Sequence, residues 1–438
     1  MSFAAPMLIG NLFQQLYSIV DAIVVGRFVG GGALAAVGVS MNVIMFLVST
    51  LIGLTTGSAI VIAQFYGAKQ HDRLKSTVSV SIIFMAGLSL VLTVIGVIFA
   101  PQLLNLLNTD KDIIDEALLY MRIVMSGVVF TVFYNMYTAY MRALGDSRRP
   151  LYILIFTVTL SGVLTVYLVI YRDMGVLGAA ASTVFAQFVA LVLCYLYARR
   201  SVPLLTVDKF TFDFKLFKLI LQYGAPAALQ FSLITLSALL ITRLINSFGP
   251  AAMAGITAVT RIDALATMPV ATLGMALSTF VAQNMGAGLE DRALKGLRTA
   301  MIYMLLCAVI ISILLMVFAP ELISMFLDEE DEGSEEILRI GESYLSIMVI
   351  FYFLFAFLFA FNGFFRGVGD AMIALVFPAI SLLLRTASAY GLILLGGMGP
   401  EALAWSIPIG WSVSTVASFV YFKKRLWVGK TATAPGRG

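Results

Sequence analysis

Residues 6–30 read PMLIGNLFQQLYSIVDAIVVGRFVG, an apolar stretch long enough to cross a bilayer that nevertheless carries a carboxylate, Asp21. A charge in hydrocarbon costs a few kcal/mol at the least, on the order of 2.5–3.5, so it is rarely left there without a role. Asn11, Gln14, Ser18 and Asp21 follow one another at intervals of 3, 4 and 3, which places them on one helical face. Tyr17 stands one turn from Asp21. The pattern is a polar stripe ending in an acid on a greasy helix.

Around this helix the whole chain is apolar. Of 438 residues, 61% are hydrophobic and 12% charged. A soluble domain carries about 25% charged residues, so the class is a polytopic membrane protein. Runs of span length fall near 3–26, 33–66, 76–100, 113–141, 150–171 and 175–198. A polar joint at 201–215 interrupts them, and they resume near 216–248, 251–285, 293–319, 337–365, 371–395 and 399–422. That is an all-α protein of twelve transmembrane helices. The first run is followed at once by more spans, so no cleaved leader is expected.

Charge gives the orientation. With the first span entering from the cytoplasm, internal segments hold twenty Lys and Arg and external segments three, Arg27, Lys111 and Arg172. The positive-inside rule then puts both termini in the cytoplasm of a multi-pass plasma (inner) membrane protein. The acidic run DEEDEGSEE (328–336) falls outside and is expected to be a solvated loop.

The chain also repeats itself. IAQFYGAKQHDR (62–73) and VAQNMGAGLEDR (281–292) share Ala-Gln, Gly-Ala and Asp-Arg at an offset of 219. Arg142 and Gly145-Asp146 match Arg366 and Gly369-Asp370 at 224. Six spans pair with six spans, and an even number preserves orientation, so the repeat is parallel. The expected organisation is an N-terminal lobe (1–200), a cytoplasmic linker (201–215), a C-terminal lobe (216–425) and a cytoplasmic tail (426–438). Two such bundles enclosing a midplane cavity suit alternating access. Gly53 and Gly57 interrupt span two and Pro269, Pro378 and Pro408 spans eight, eleven and twelve; small residues let helices approach, and prolines free carbonyls and allow kinks.

Asp21 and Asp263 are the acids that fall inside spans. Desolvation favours the neutral form of a carboxyl, and a carboxyl that gains and loses a proton suits a carrier. The competing reading of Asp21 is a buried carboxyl satisfied by a Tyr or Asn neighbour. Asp263 could be neutralised by Arg261 or Arg385, and a static charge network is as good a reading of it as an ion site. Enzyme chemistry has no support: His71 is the sole histidine, and no nucleotide-binding glycine motif occurs. Cys194 and Cys307 lie in apolar runs, which argues against a thiolate metal site. No basic patch interleaved with aromatics suggests nucleic acid.

Several motifs together, NLFQQLYSIVDAIVVGRF, AQFYGA, AQNMGAG, RALGD, RGVGD and TRIDALATMP, give a sequence that resembles the multidrug and toxic compound extrusion (MATE) transporters. The resemblance covers essentially all twelve spans. It implies a V-shaped pair of six-helix lobes that export amphiphilic or cationic organic compounds against inward proton or sodium flow, with no other cofactor. It also implies that the acid of span one, here Asp21, is the proton-linked residue. Span seven lacks the acid that sodium-coupled members carry, and offers Gln230, Ser237, Thr242 and Asn246 instead. The ion-coupling set is assigned to Asp21, Tyr17 and Asn135. The substrate cavity is assigned to Gln14, Ser18, Asn11, Gln230, Asn362, Asp263 and Arg385. The expected partners are small amphiphilic or cationic substrates and the lipid bilayer, with the chain a monomer. A flippase for a lipid-linked precursor is the alternative. It would want several cavity cations, for which Arg243, Arg261 and Arg385 are the embedded candidates.

The charge count predicts that a single Cys added at the C-terminus of the cysteine-free chain resists membrane-impermeant thiol reagents in intact cells and reacts after permeabilisation. Reaction in intact cells would reverse the orientation.

Overall fold

The computed structural model describes residues 3–106, 109–207, 209–326 and 333–433. Most of the acidic run, 328–332, and the last five residues of the expected tail lie outside the described residues. The chain is helical throughout: α1 (Ala4–Phe28), α2 (Gly31–Gly67), α3 (His71–Ile98), α4 (Ala100–Leu106), α5 (Ile114–Ser126), α6 (Val128–Ala143), α7 (Arg148–Val166) and α8 (Gly175–Ser201). They are followed by α9 (Phe214–Asn246), α10 (Pro250–Gly286), α11 (Glu290–Val317), α12 (Ala319–Ser324), α13 (Ser334–Ile350), α14 (Tyr352–Val368), α15 (Ala371–Leu394) and α16 (Glu401–Lys423). A π turn, Tyr167–Tyr171, continues α7, and a short 3₁₀ turn, Pro203–Leu205, follows α8.

Among the described residues ten helices are long and apolar enough to cross a membrane, and two bent pairs, α5 with α6 and α13 with α14, bring the number to twelve if each pair is one span. The bends, 49° and 51°, fall at Gly127 and Phe351. These positions are 224 apart, so the bend belongs to the repeat and does not need a glycine.

The repeat is written in the backbone as well. α2 and α10 are both 37 residues long, and α3 and α11 both 28. The turn between each pair passes through a left-handed residue, Lys69 at φ 57° and Gly288 at φ 72°. A side chain at that conformation costs about 1–2 kcal/mol. Lys69 bears this cost in the first copy, and glycine removes it in the second. RALGD and RGVGD also acquire a structural meaning. Asp146 Oδ1 accepts from the N–H groups of Arg148 and Arg149 (3.2 and 3.1 Å), capping α7, and Tyr197 O–H donates to its Oδ2 at 2.8 Å. Asp370 precedes α15 and accepts from Tyr421 at 2.5 Å. Tyr197 and Tyr421 are again 224 apart. Each acid ties the start of one span to the end of the next.

The chain divides into two compact units, Met1–Ala228 with Ala432–Gly438, and Leu229–Thr431. In the first, α2 packs on α3, α5 and α6, and α8 on α6 and α7. In the second, α10 packs on α11, α13 and α14, and α15 on α16. The sequence pattern places the second lobe's start at 216, whereas contacts divide the chain inside α9. The reason is a close approach. A Cβ at Gly57 would lie 2.3 Å from Gly224 Cα, and one at Gly53 2.4 Å from Ala228 Cα, so the first turns of α9 belong with α2. Gly53 and Gly57 therefore let helices approach, as expected, without breaking the helix. α2 runs through them unbroken, and they let backbones touch. Pro269, Pro378 and Pro408 likewise sit inside continuous helices. Toward the chain's end, Trp427 is buried, and the Ala432 N–H donates to Gln64 Oε1 at 2.7 Å, which places Ala432 with the first unit.

Gly57→Val should cost at least about 1–3 kcal/mol, the usual price of overpacking, and more where backbone cannot yield. Gly87→Val, where a Cβ meets nothing within 4 Å, should leave thermal stability of the purified protein near wild type. Equal melting temperatures for the two variants would contradict the close approach.

Candidate functional site

In the first unit, α7 presents Thr157, Ser161 and Thr165, spaced by four and all buried, as a ladder of hydroxyls along one face. α1 packs on α7. Tyr17 OH meets Ser161 Oγ at 2.6 Å. One turn further, Thr165 Oγ1 reaches Asp21 Oδ1 at 3.4 Å, a long contact that leaves the carboxyl loosely held. Behind it, Thr165 Oγ1 and Ser182 Oγ are 2.7 Å apart, and Ser182 donates to the Ala179 carbonyl at 2.9 Å. The result is a chain of oxygens from the Asp21 carboxyl through two hydroxyls to a backbone acceptor.

Tyr17 and Asp21 are half-buried, and Tyr120 on α5 is fully buried. The Tyr120 hydroxyl has no hydrogen-bond partner among the described residues. Gln14 and Ser18 are exposed, and Ser18 Oγ donates to the Gln14 carbonyl at 3.1 Å. The stripe read along α1 is thus divided: its C-terminal member, with Tyr17, engages α7, while Gln14 and Ser18 face outward. Asn11 is half-buried. Asn135 is not brought to this cluster by a hydrogen bond; its amide donates to the Thr131 carbonyl on its own helix at 2.8 Å. Ser161, Thr165, Ser182 and Tyr120 were not singled out from sequence. The spacing of four in TVTLSGVLT is the signal that carries three rungs of the ladder.

The second unit arranges its polar groups differently. Tyr352 O–H donates to Asp263 Oδ1 at 2.7 Å. No salt bridge joins Asp263 to Arg261 or Arg385 among the described residues. Arg261 lies instead over the Phe326 ring, 6.0 Å from its centroid. Arg385 lies within electrostatic reach of Asp263 and Tyr344, and its buried Nε has no hydrogen-bond partner among the described residues. Gln230 and Asn362 are committed elsewhere. Arg366 Nη2 donates to Gln230 Oε1 at 3.0 Å and to Asn362 Oδ1 at 3.1 Å, and the Asn362 amide donates to the Ala374 carbonyl at 2.6 Å. These two side chains serve an arginine at the end of α14. Among the described residues no group of three or more His, Cys, Asp or Glu is placed to hold a metal ion.

The family model described as MatE matches residues 6–168 and 226–390. Probable multidrug resistance protein YoeA of Bacillus subtilis (strain 168) is 31% identical over 379 residues, covering 84% of this chain and 81% of that protein. Probable multidrug resistance protein YpnP of the same organism is 29% identical over 428 residues, covering 97% and 94%. A solved structure described as MATE in the bent conformation superposes with a TM-score of 0.90 at 22% identity, covering 97% of this chain and 94% of that one.

Gln230→Leu leaves the Arg366 guanidinium short of an acceptor and should cost about 1–3 kcal/mol of stability. Thermal unfolding of the purified protein checks this. An unchanged melting temperature with weakened substrate binding would return Gln230 to the cavity.

Proposed function

The chain belongs to the MatE family, and from that premise we propose that it is an antiporter that exports small amphiphilic or cationic organic compounds in exchange for protons. It works by alternating access in the plasma membrane, with both termini in the cytoplasm, and Asp21 is the coupling carboxylate. The family consists of transporters rather than enzymes. Relatives named as probable multidrug resistance proteins support the substrate class.

The observation that carries the proton reading is the oxygen chain behind Asp21. Each hydroxyl has one proton to give. With Asp21 ionised, Ser182 donates to Thr165 and Thr165 donates to the carboxylate. With Asp21 protonated, its O–H donates to Thr165, Thr165 to Ser182, and Ser182 to the Ala179 carbonyl. Every proton in the chain has an acceptor in both states, and the exchange needs only hydroxyl rotations. A carboxyl whose two forms are both satisfied can load and unload a proton without leaving a buried orphan. A sodium ion would need further oxygens around Asp21 beyond these two hydroxyls. Gln14 and Ser18, exposed beside Tyr17 and Asp21, are the substrate-facing groups in this reading.

In reconstituted vesicles, a pH gradient should drive uptake of a fluorescent organic cation, and Asp21→Asn should abolish it. Thr165→Val should slow it about tenfold, since a hydrogen bond to a charged group contributes about 1.5–3 kcal/mol. Unchanged transport in Asp21→Asn would sink the mechanism. Uptake driven by a sodium gradient at clamped pH would replace the proton with sodium.

A further inference from the structure

The second unit holds a cavity of about 580 Å³ between α11, α14 and α16 that takes no part in the coupling chemistry. Its inner wall is Leu297, Phe361, Phe422 and Trp427. Val416 and Phe419 stand at its outer edge, 62% and 53% exposed. Arg298, Lys423 and Arg425 line the same cavity, and all three are exposed. An apolar cleft with cations on its lining is amphipathic, and so must be what fills it.

We propose that this cavity binds one anionic phospholipid, with an acyl chain in the apolar cleft and the phosphate head group against Arg298 and Lys423. Three features converge on that occupant. The first is charge. Arg425 already pairs with Glu290, while Arg298 and Lys423 have no ion-pair partner among the described residues. A phosphodiester supplies the missing anion, and a cationic drug would be repelled. The second is placement. Arg298 lies eight residues after the start of α11, about 12 Å along the helix. Lys423 closes α16. The cations therefore sit near helix ends, at head-group depth, and the cleft extends from them toward the middle of the spans. The third is access. α11 and α16 expose Ile302, Leu306, Val416 and Phe419, and in a bilayer such faces meet acyl chains. The lipid enters sideways from its own leaflet. Basic pockets between transmembrane helices are a recurrent way of holding anionic head groups. The site needs neither proton coupling nor any particular drug, so it stands or falls apart from the function proposed above.

Native mass spectrometry of the delipidated full-length protein tests it, with titration of phosphatidylglycerol, phosphatidylcholine and inorganic phosphate. Phosphatidylglycerol should bind with one tight site and outcompete phosphatidylcholine. The double variant Arg298→Ala/Lys423→Ala should lose that preference by about tenfold or more, two surface cations' worth. Lys424→Ala, an exposed neighbour that does not line the cavity, should keep it. Met301→Trp, which fills the cleft and leaves the cations, should weaken the lipid as well. Equal affinity for both lipids, retention of the preference in the double variant, or inorganic phosphate binding as tightly as the lipid would each overturn the proposal.

Discussion

Everything distinctive about the first unit follows from the cost of holding one carboxyl in a helix that water does not reach freely. An isolated carboxylate in an apolar medium is expensive, and a buried polar group without a partner costs on the order of 1–3 kcal/mol. The fold meets this by facing α1 with a helix whose inner edge is hydroxyls. Ser161 takes Tyr17, Thr165 takes Asp21, and Ser182 backs Thr165. Hydroxyls are well suited because each both donates and accepts, so the ladder reverses with the charge it serves.

The duplicated fold shows how far chemistry diverges on a retained backbone. The lengths of α2 and α3, the left-handed turn, the bent spans and the Asp–Tyr ties recur in α10, α11 and the rest of the second copy. The residues next to the acid do not: Asp21 corresponds to Ile241, Thr165 to Ala389 and Ser161 to Arg385, whereas Thr157 and Ser182 keep a buried hydroxyl at Ser381 and Ser406. Ile241 and Ala389 are buried. The embedded acid of the second unit arises on another helix, at Asp263, and its partner is a tyrosine on α14. Packing constrains a position by volume and close approach, and those demands survive duplication. A proton site is constrained by partners, and when the acid is absent its partners become free to change.

Which parts were legible in the sequence follows from the same distinction. Twelve apolar runs, the parallel repeat and the anomaly of Asp21 are each visible because they alter hydropathy or recur at fixed offsets. Serine and threonine inside apolar runs scarcely alter hydropathy, so the α7 ladder passed unnoticed although its period of four was present. Gln230 and Asn362 were assigned to a cavity because amides are conspicuous in spans. Their partner, Arg366, stands four residues after Asn362, a spacing the sequence does show, but 136 residues from Gln230, and nothing local joins those two. Gly53 and Gly57 are legible as places where helices approach, whereas the backbone they approach belongs to a helix more than 160 residues away and cannot be named from the sequence.

The most direct test of Asp21 as the proton carrier is a proton count rather than a transport rate. Purified protein in weakly buffered detergent, held where Asp21 carries its proton, is mixed with a cationic substrate while a pH-indicator dye is followed. The account predicts release of one proton per substrate bound in the wild type and none in Asp21→Asn. Equal release from both, with substrate bound in both, would contradict it.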